Sequence, residues 1–187
     1  MNLINGEQTD FRYAGIDKFD VNNGNGVGVT LFVQGCSHHC KGCHNPETWD
    51  PKTGNAVTDQ IYDELKEQLD QDEISGVTFT GGEATFPSSR EEATKIRAWI
   101  KEHYPSKTIW VYTGYLYEDI KDLPRMQYID VLVDGPYIAE KNPGPNKLKW
   151  RGSSNQRVID VKETRKQNKI VWLIDFDGRP IFENDEK

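Results

Sequence analysis

The chain has 187 residues, of which 28% are charged and 35% hydrophobic, and its net charge at neutral pH is −7. This composition is typical of a single folded domain and excludes a disordered or membrane-embedded chain. The acidic balance excludes the overall basic character that nucleic-acid binding favours, so we expect no nucleic-acid partner. Residues 1–15 contain no apolar signal segment, and no apolar run approaches the roughly 18 residues of a membrane span. We therefore expect a cytoplasmic protein with no membrane partner.

Four segments of the chain carry the apolar pattern of β-strands. They are VGVTLFVQG (27–35), GVTFTGG (76–82), KTIWVYTG (107–114) and YIDVLVDG (128–135). Helices are predicted between them: one capped by Thr58, one that begins at a capping box with Ser88 or Ser89, and a weaker one around 116–123. The residues expected to face inward are Ile61, Leu65 and Leu69 in the first helix and Ala93, Ile96 and Ile100 in the second. Strands that alternate with helices predict right-handed crossovers on a parallel sheet.

The segments after the fourth strand carry weaker signals. Residues 138–157 are polar and contain two prolines, which predicts an ordered loop or flap. The segment KIVWLIDFDGRPIF (169–182) predicts a β-hairpin that turns at Asp177–Gly178. The expected organisation is one domain over 1–187, with a core of about 20–160 and a C-terminal extension of 161–187 that carries the hairpin.

Polar or glycine-rich residues follow each of the four predicted strands. These residues are Cys36 to Cys43, Gly81 to Glu83, Thr113–Gly114 and Asp134–Gly135. In parallel α/β sheets, ligands bind at the carboxyl ends of the strands. The sequence therefore predicts that four separate segments meet at one rim and form a ligand site there.

All the cysteines of the chain lie within eight residues, in the pattern C-x3-C-x2-C formed by Cys36, Cys40 and Cys43. A compact loop of this kind can direct three thiolates at one centre, and a [4Fe–4S] cluster normally takes four cysteine ligands. With three, one iron lacks a protein ligand and is open to a small molecule. Gly35 and Gly42 flank the thiols and permit the tight backbone turns that such a loop needs.

Zinc is the competing interpretation of the same spacing. The three thiols with His38, His39 or His44 could form a Cys3His site. Structural zinc sites usually combine two separated ligand pairs, however, and the chain has no second pair. If the loop binds a cluster instead, His38 and His39 are expected to face solvent. Spacing by itself leaves both the cluster and zinc open.

Several segments together resemble a known family. The C-x3-C-x2-C loop, followed by a strand that ends in Gly-Gly-Glu, resembles the radical S-adenosylmethionine (SAM) enzymes. Within that superfamily, the chain resembles the activating proteins of the anaerobic (class III) ribonucleoside-triphosphate reductase. The matching segments are TLFVQGCSHHCKGCHNPETW (30–49), TFTGGE (78–83), IWVYTGY (109–115), IDVLVDGPY (129–137) and LKWRGSSNQRVID (148–160). The fold that this resemblance implies is an α/β one, a partial, open parallel (β/α) barrel.

The resemblance also implies roles for particular residues. The metal ligands and catalytic set would be Cys36, Cys40 and Cys43, which hold a [4Fe–4S] cluster whose open iron binds SAM. The cofactor-binding residues would be Gly42, Cys43, His44, Gly81, Gly82, Glu83, Thr113 and Asp134, with Tyr112 and Gly114 on the same rim. In this interpretation Gly81 to Glu83 hold the methionine end of SAM, and the carboxylate lies beside its ammonium group.

The implied reaction is reductive cleavage of SAM into methionine and a 5′-deoxyadenosyl radical. That radical takes a hydrogen atom from the Cα of one glycine on the large subunit of the anaerobic reductase and leaves a glycyl radical there. Because all three thiols are committed to the cluster, the electron would come from an external one-electron donor such as flavodoxin. Two alternatives stay open: a radical SAM enzyme that acts on a small molecule, as 7-carboxy-7-deazaguanine synthases do, and a zinc-stabilised module without catalytic activity.

The chain departs from the family pattern at two places. Asn25 and Gly28 stand where the family tends to have the proline and arginine of Gly-Pro-Gly-x-Arg, and Ala84–Thr85 replace the usual Pro-Leu after Gly-Gly-acidic. The polar run RGSSNQR (151–157) is expected to lock the rim, to contact SAM or to receive the glycine loop of the partner. The sequence does not choose among these three roles.

Overall fold

The fold was analysed in a computed structural model, which describes residues 3–4, 7–8, 10–85, 90–145 and 147–174. The strands in these ranges are β1 (Leu3–Ile4), β2 (Glu7–Gln8), β3 (Arg12–Asp20), β4 (Val27–Val33), β5 (Asn55–Ala56), β6 (Ile74–Gly81), β7 (Thr108–Tyr112), β8 (Val131–Asp134) and β9 (Arg157–Asp160). The α-helices are α1 (Gln60–Leu69), α2 (Arg90–His103), α3 (Tyr117–Ile120) and α4 (Val161–Gln167). Short 3-10 turns occur at Pro46–Thr48, Pro124–Tyr128 and Ala139–Lys141.

The described strands form one mixed sheet and one small β1–β2 pair. In the mixed sheet the order is β5-β3-β4-β6-β7-β8-β9. The neighbours β4, β6, β7 and β8 run parallel, whereas β3, β5 and β9 pair antiparallel at the two sides. The expected parallel sheet is therefore confirmed in the middle only. The sheet is open, and a radical SAM barrel is not confirmed.

All four predicted strands and the three predicted helices are present, although some details differ. Asp59, not Thr58, is the N-cap residue of α1, and Thr58 contributes only its backbone carbonyl, which accepts from Ile61 N at 3.0 Å. The proposed capping box at Ser88 or Ser89 lies outside the described residues. Strands β1, β2, β3, β5 and β9 and helix α4 were not predicted from the sequence. The polar segment 138–157 is confirmed as mainly loop, with one 3-10 turn and the first residue of β9.

The two faces of the central sheet differ in chemistry because side chains alternate along each strand. One face packs against the helices and is apolar; its strand residues include Val29, Leu31, Val33, Val77, Phe79, Ile109, Val111 and Leu132. The helix residues predicted to face inward are buried in the same core. The opposite face carries Thr30, Thr78 and Thr80 beside a second cluster around Trp110 and Trp150. This second face is mixed polar and aromatic, which is unusual for a core and suits a ligand cavity.

The predicted C-terminal hairpin can be followed only in part. Trp172 forms an antiparallel bridge to Ile159 of β9, so the chain does return along the sheet edge. The predicted turn at Asp177–Gly178 lies outside the described residues. The domain limits given above stay a prediction.

Among the residues that the structure describes, no helix is both long enough and apolar enough to cross a membrane.

Candidate functional site

A cavity of about 910 Å³ lies at the carboxyl ends of β4, β6 and β7. Its lining includes residues from all four segments that were predicted to meet there, namely Cys36, Cys40, Cys43, His44, Gly81, Gly82, Glu83, Tyr112, Thr113, Gly114 and, after β8, Gly135. The structure therefore brings these segments to one rim, as the parallel order of the central strands requires.

The cysteine loop is held from behind by the segment that follows it. Gly35 N donates to Thr48 O at 2.8 Å, and Cys36 N donates to Trp49 O at 3.1 Å. Gly35 and Gly42 have φ angles of +94° and +72°, which side-chain-bearing residues rarely adopt. Backbone hydrogen bonds and two glycines thus determine the path of the loop, and the thiols remain available to bind a metal centre.

The three thiols are half-buried and form no disulfide. Burial raises the pKa of Cys36, and the nearby charge of Glu83 adds to this effect. In the described part of the chain, no three His, Cys, Asp or Glu side chains are grouped to hold a single metal ion. A [4Fe–4S] cluster does not require such a group, since each thiolate binds a different iron. Three thiols on one loop beside a cavity fit a cluster with one open iron.

The end of β6 touches the start of the cysteine loop through backbone atoms. Gly82 N donates to Val33 O at 2.9 Å, and Glu83 N donates to Gly35 O at 2.8 Å. A Cβ atom added at Gly82 would lie 2.7 Å from Gly35 O and 2.8 Å from Val33 O. The short distance between the two backbones explains why glycine occupies position 82. It also sets the spacing between the end of β6 and the cysteine loop.

The Glu83 side chain is 1% exposed and is held by several donors. Its carboxylate accepts from Thr85 N at 2.9 Å, from Thr113 Oγ1 at 2.9 Å and from Gly114 N at 2.9 Å. His38 Nε2 lies 2.9 Å from its second oxygen. Burial raises the pKa of Glu83, but the hydrogen bonds from His38, Thr85 and Gly114 outweigh it, so the pKa falls below its usual value.

The prediction that His38 faces solvent is wrong. Its ring is partly buried against Glu83 and packs edge-on to Tyr115, with ring centroids 4.7 Å apart. The hydrogen bond to Glu83 raises the pKa of His38. His39 is exposed as expected, and it stacks on Trp49 at 4.7 Å.

Two residues predicted to bind a cofactor do not line the cavity. Gly42 lies behind it, where an added Cβ would approach Ala139 Cβ to 3.3 Å. Asp134 is fully buried and accepts from Tyr117 N at 2.7 Å and from Arg157 Nε at 2.9 Å. The carboxylate thus joins β8 to α3 and β9. Its neighbour Gly135 reaches the cavity instead.

Replacing Asp134 by asparagine is expected to lower the free energy of unfolding by about 3 kcal/mol, because it breaks a buried ion pair with Arg157. Equilibrium denaturant unfolding of the metal-free protein measures this change. The matched control is Glu118→Gln, since Glu118 contacts the same guanidinium but its side chain is 52% exposed. The Glu118→Gln control should lower the free energy of unfolding by at most about 1 kcal/mol. Equal losses in both variants would contradict the assignment of Asp134 as the buried anchor.

The RGSSNQR run forms a hydrogen-bonded lock beside the cavity. Gln156 Oε1 accepts from Gly152 N at 2.9 Å and from Ser153 N at 3.1 Å, and Gln156 Nε2 donates to Gly135 O at 3.1 Å. Arg151 Nη1 donates to Gln156 O at 2.8 Å. Of the three roles left open by the sequence, the structure supports the locking role directly. Gly152 and Gln156 also line the cavity.

Further lining residues were not predicted as site residues. They are Asn22, Asn23, Asn45, Thr80, Tyr137, Lys147, Leu148 and Lys149. Asn23 is placed by its side chain, which donates to Asp20 Oδ2 at 2.6 Å, and by its carbonyl, which accepts from Thr78 Oγ1 at 2.9 Å. The available signal was a polar sheet face, marked by Thr30 in β4 and by Thr78 and Thr80 at alternate positions of β6.

Comparison with known proteins defines the class. Residues 22–159 match the family described as a 4Fe-4S single cluster domain. The match covers most of the chain, so the protein belongs to this class of iron–sulfur proteins. It decides between the two metals left open by the cysteine spacing, because the family binds a [4Fe–4S] cluster and not zinc.

Curated relatives narrow the class. An anaerobic ribonucleoside-triphosphate reductase-activating protein from Enterobacteria phage T4 is 45% identical over 146 residues, which are 78% of this chain and 92% of the relative. Proteins with the same name from Vibrio cholerae and Escherichia coli K12 are 39% and 38% identical over 144 and 149 residues. These matches cover 74% and 76% of this chain and 91% and 94% of the relatives. The chain therefore belongs to the family of anaerobic ribonucleoside-triphosphate reductase-activating proteins.

Proposed function

We propose that the protein activates an anaerobic ribonucleoside-triphosphate reductase by generating a glycyl radical on its large subunit. The observation that carries this proposal is the shared cavity, in which the cluster-binding thiols lie beside the glycine-rich end of β6. Family membership supplies the reductase as the partner. The name of the relatives gives no support to the small-molecule alternative.

The cavity has room for a cofactor together with part of a partner chain. Its volume of about 910 Å³ is near the upper end of the ~300–1,000 Å³ that ligand pockets usually enclose. Tyr112 forms part of the wall, and burial raises its pKa, with the charge of Asp20 adding to the effect. Tyr112 thus contributes a neutral aromatic side chain to the cavity wall.

Each group of residues has a defined task in this proposal. Cys36, Cys40 and Cys43 hold the cluster, and Gly81 and Gly82 allow the backbone to approach the methionine end of SAM. When bound, the cluster and SAM supply the electron and the carbon–sulfur cleavage that form the radical. The protein excludes water and orients the target glycine, which has no side chain to shield its Cα hydrogens.

The electron donor is proposed to be an external protein such as flavodoxin. All three cysteines of the chain are assigned to the one cluster, so the chain supplies no thiols for a second one.

The test is an anaerobic reconstitution with iron and sulfide, followed by reduction with dithionite and addition of SAM. We expect 5′-deoxyadenosine, and a glycyl doublet in the electron paramagnetic resonance spectrum only when the large reductase subunit is present. A subunit whose target glycine is replaced by alanine is the control and should give no doublet. Deoxyadenosine without a doublet on the intact subunit would instead favour a small-molecule substrate.

A further inference from the structure

The carboxylate of Glu83 is the point where three segments of the site are tied together. The donors come from the cysteine loop, from the residue after Ala84 and from the end of β7. They are His38 Nε2, Thr85 N, Thr85 Oγ1, Thr113 Oγ1 and Gly114 N. Because the Glu83 side chain is 1% exposed, these bonds replace the water that an exposed carboxylate would bind.

The number of donors limits what else this carboxylate can bind. An ionised carboxylate offers about four lone-pair sites. Five donor groups already approach it at 2.7–3.0 Å, with the Thr113 hydroxyl within reach of both oxygens. A further cationic donor would have to displace one of them.

His38 is the donor that belongs to the cysteine loop, since it lies between Cys36 and Cys40. Its ring has little freedom, because it contacts Tyr115 on one side and Gly114 on another. A Cβ added at Gly114 would come within 2.6 Å of two His38 ring atoms. The loop is thus pressed against the end of β7 and bonded to the residue that ends the Gly-Gly-Glu motif.

We propose that His38 and Glu83 form a positioning clamp that holds the cysteine loop against β6 and β7. The Glu83 carboxylate serves this clamp instead of binding the ammonium group of SAM, and the backbone of Gly81 and Gly82 remains as the surface for SAM. The proposal rests on the proposed function, because it assigns a role at the same cluster and cofactor site.

The clamp has a direct consequence for the metal centre. Residues that orient metal ligands from behind typically change metal affinity by about 10–100-fold when they are mutated. Loss of the clamp frees the first half of the loop, so iron should leave the cluster faster. SAM should also bind more weakly, because the loop and the β6 end no longer keep one spacing.

The experiment compares His38→Ala, Glu83→Gln and the double variant with the original protein, each reconstituted anaerobically. One readout is the rate at which a ferrous chelator removes iron. A second is the SAM dissociation constant, followed by the change in the electron paramagnetic resonance spectrum of the reduced cluster. Each single variant should speed iron release at least about tenfold, and each should raise the dissociation constant for SAM by a similar factor. The double variant should be no worse than the more affected single one, because both changes remove the same contact.

Two further variants separate the clamp from a general effect on folding. His38→Gln keeps a donor near the carboxylate and should recover most of the slow iron release. His39→Ala changes the neighbouring exposed histidine and should behave like the original protein. If Glu83→Gln does not fold, the contrast between His38→Ala and His38→Gln still decides the result.

Two outcomes would overturn the clamp. In the first, Glu83→Gln binds SAM more weakly, whereas His38→Ala releases iron and binds SAM as the original protein does. The other is an additive loss in the double variant. If the original protein formed no cluster at all, the proposed function would fail first, and this is distinguishable because iron loading is measured before any variant is compared.

Discussion

Replacing Cys40 by alanine is expected to abolish both iron binding and SAM cleavage. The loop provides three thiols, and the chain has no other cysteine that could replace a lost ligand. The variant should purify without the visible absorbance of the cluster and should release no 5′-deoxyadenosine after reduction. Iron content, absorbance and product chromatography on the same sample measure the effect.

A control for the Cys40 variant is needed on the same loop. His39→Ala is suitable, since the His39 side chain is exposed and stacks on Trp49, and its contact with the Cys36 thiol is made by the backbone, which alanine keeps. It should retain iron and cleavage activity. Circular dichroism of the metal-free proteins should show the same fold for both variants. Full SAM cleavage by Cys40→Ala would refute the assignment of the three cysteines as cluster ligands.

Replacing Gly82 by alanine is expected to weaken SAM binding and to slow SAM cleavage by about a hundredfold, because a displacement of about 1 Å in an active site can lower the reaction rate by that factor. The added methyl carbon would lie 2.7 Å from Gly35 O, and both contacting oxygens belong to backbone that cannot rotate away. The end of β6 would therefore move away from the cysteine loop. Titration of the reduced protein with SAM at equal cluster loading measures the dissociation constant.

Gly15→Ala is the matched control for this substitution. Gly15 also lies in the mixed sheet, but an added Cβ would meet nothing within 4 Å among the described atoms. Its SAM affinity should equal that of the original protein. An unchanged affinity in Gly82→Ala would show that the close backbone contact does not set the geometry of the cofactor site.

The central strands and the two longer helices could be predicted because their signals are local. Strands β4, β6, β7 and β8 are buried on the helix side, so their apolar residues recur with a clear period. Helix α4 gave little signal, since only Val161 and Thr164 of its seven residues are buried. Strand β3 is mostly half-buried or exposed, and its pattern is correspondingly weak. Strand β9 was missed for a different reason: Val158 and Ile159 are buried, but the strand has only four residues, which is too short for a clear period.

The site residues also divide into those that a short segment of sequence indicates and those that it does not. The spacing of the cysteines and the glycine pair at the end of β6 are properties of short segments, and the three thiols and both glycines do line the cavity. Asp134 was placed on the rim because it ends a strand, but side chains alternate in β8. Val133 belongs to the cavity-side cluster and Leu132 to the helix-side core, so Asp134 points away from the cavity. Applying that alternation to the last strand residue would have corrected the prediction.

The sequence by itself determined that three thiols share one loop and where the central strands lie, because cysteine spacing and hydrophobic period are set by neighbouring residues. The tertiary structure decided which polar groups meet. His38 and Glu83 are 45 residues apart, and their contact depends on how β4, β6 and β7 lie side by side. A pattern within one segment carries no information about such a distance. The carboxylate that the sequence suggested for SAM is therefore found bonded to the cysteine loop itself.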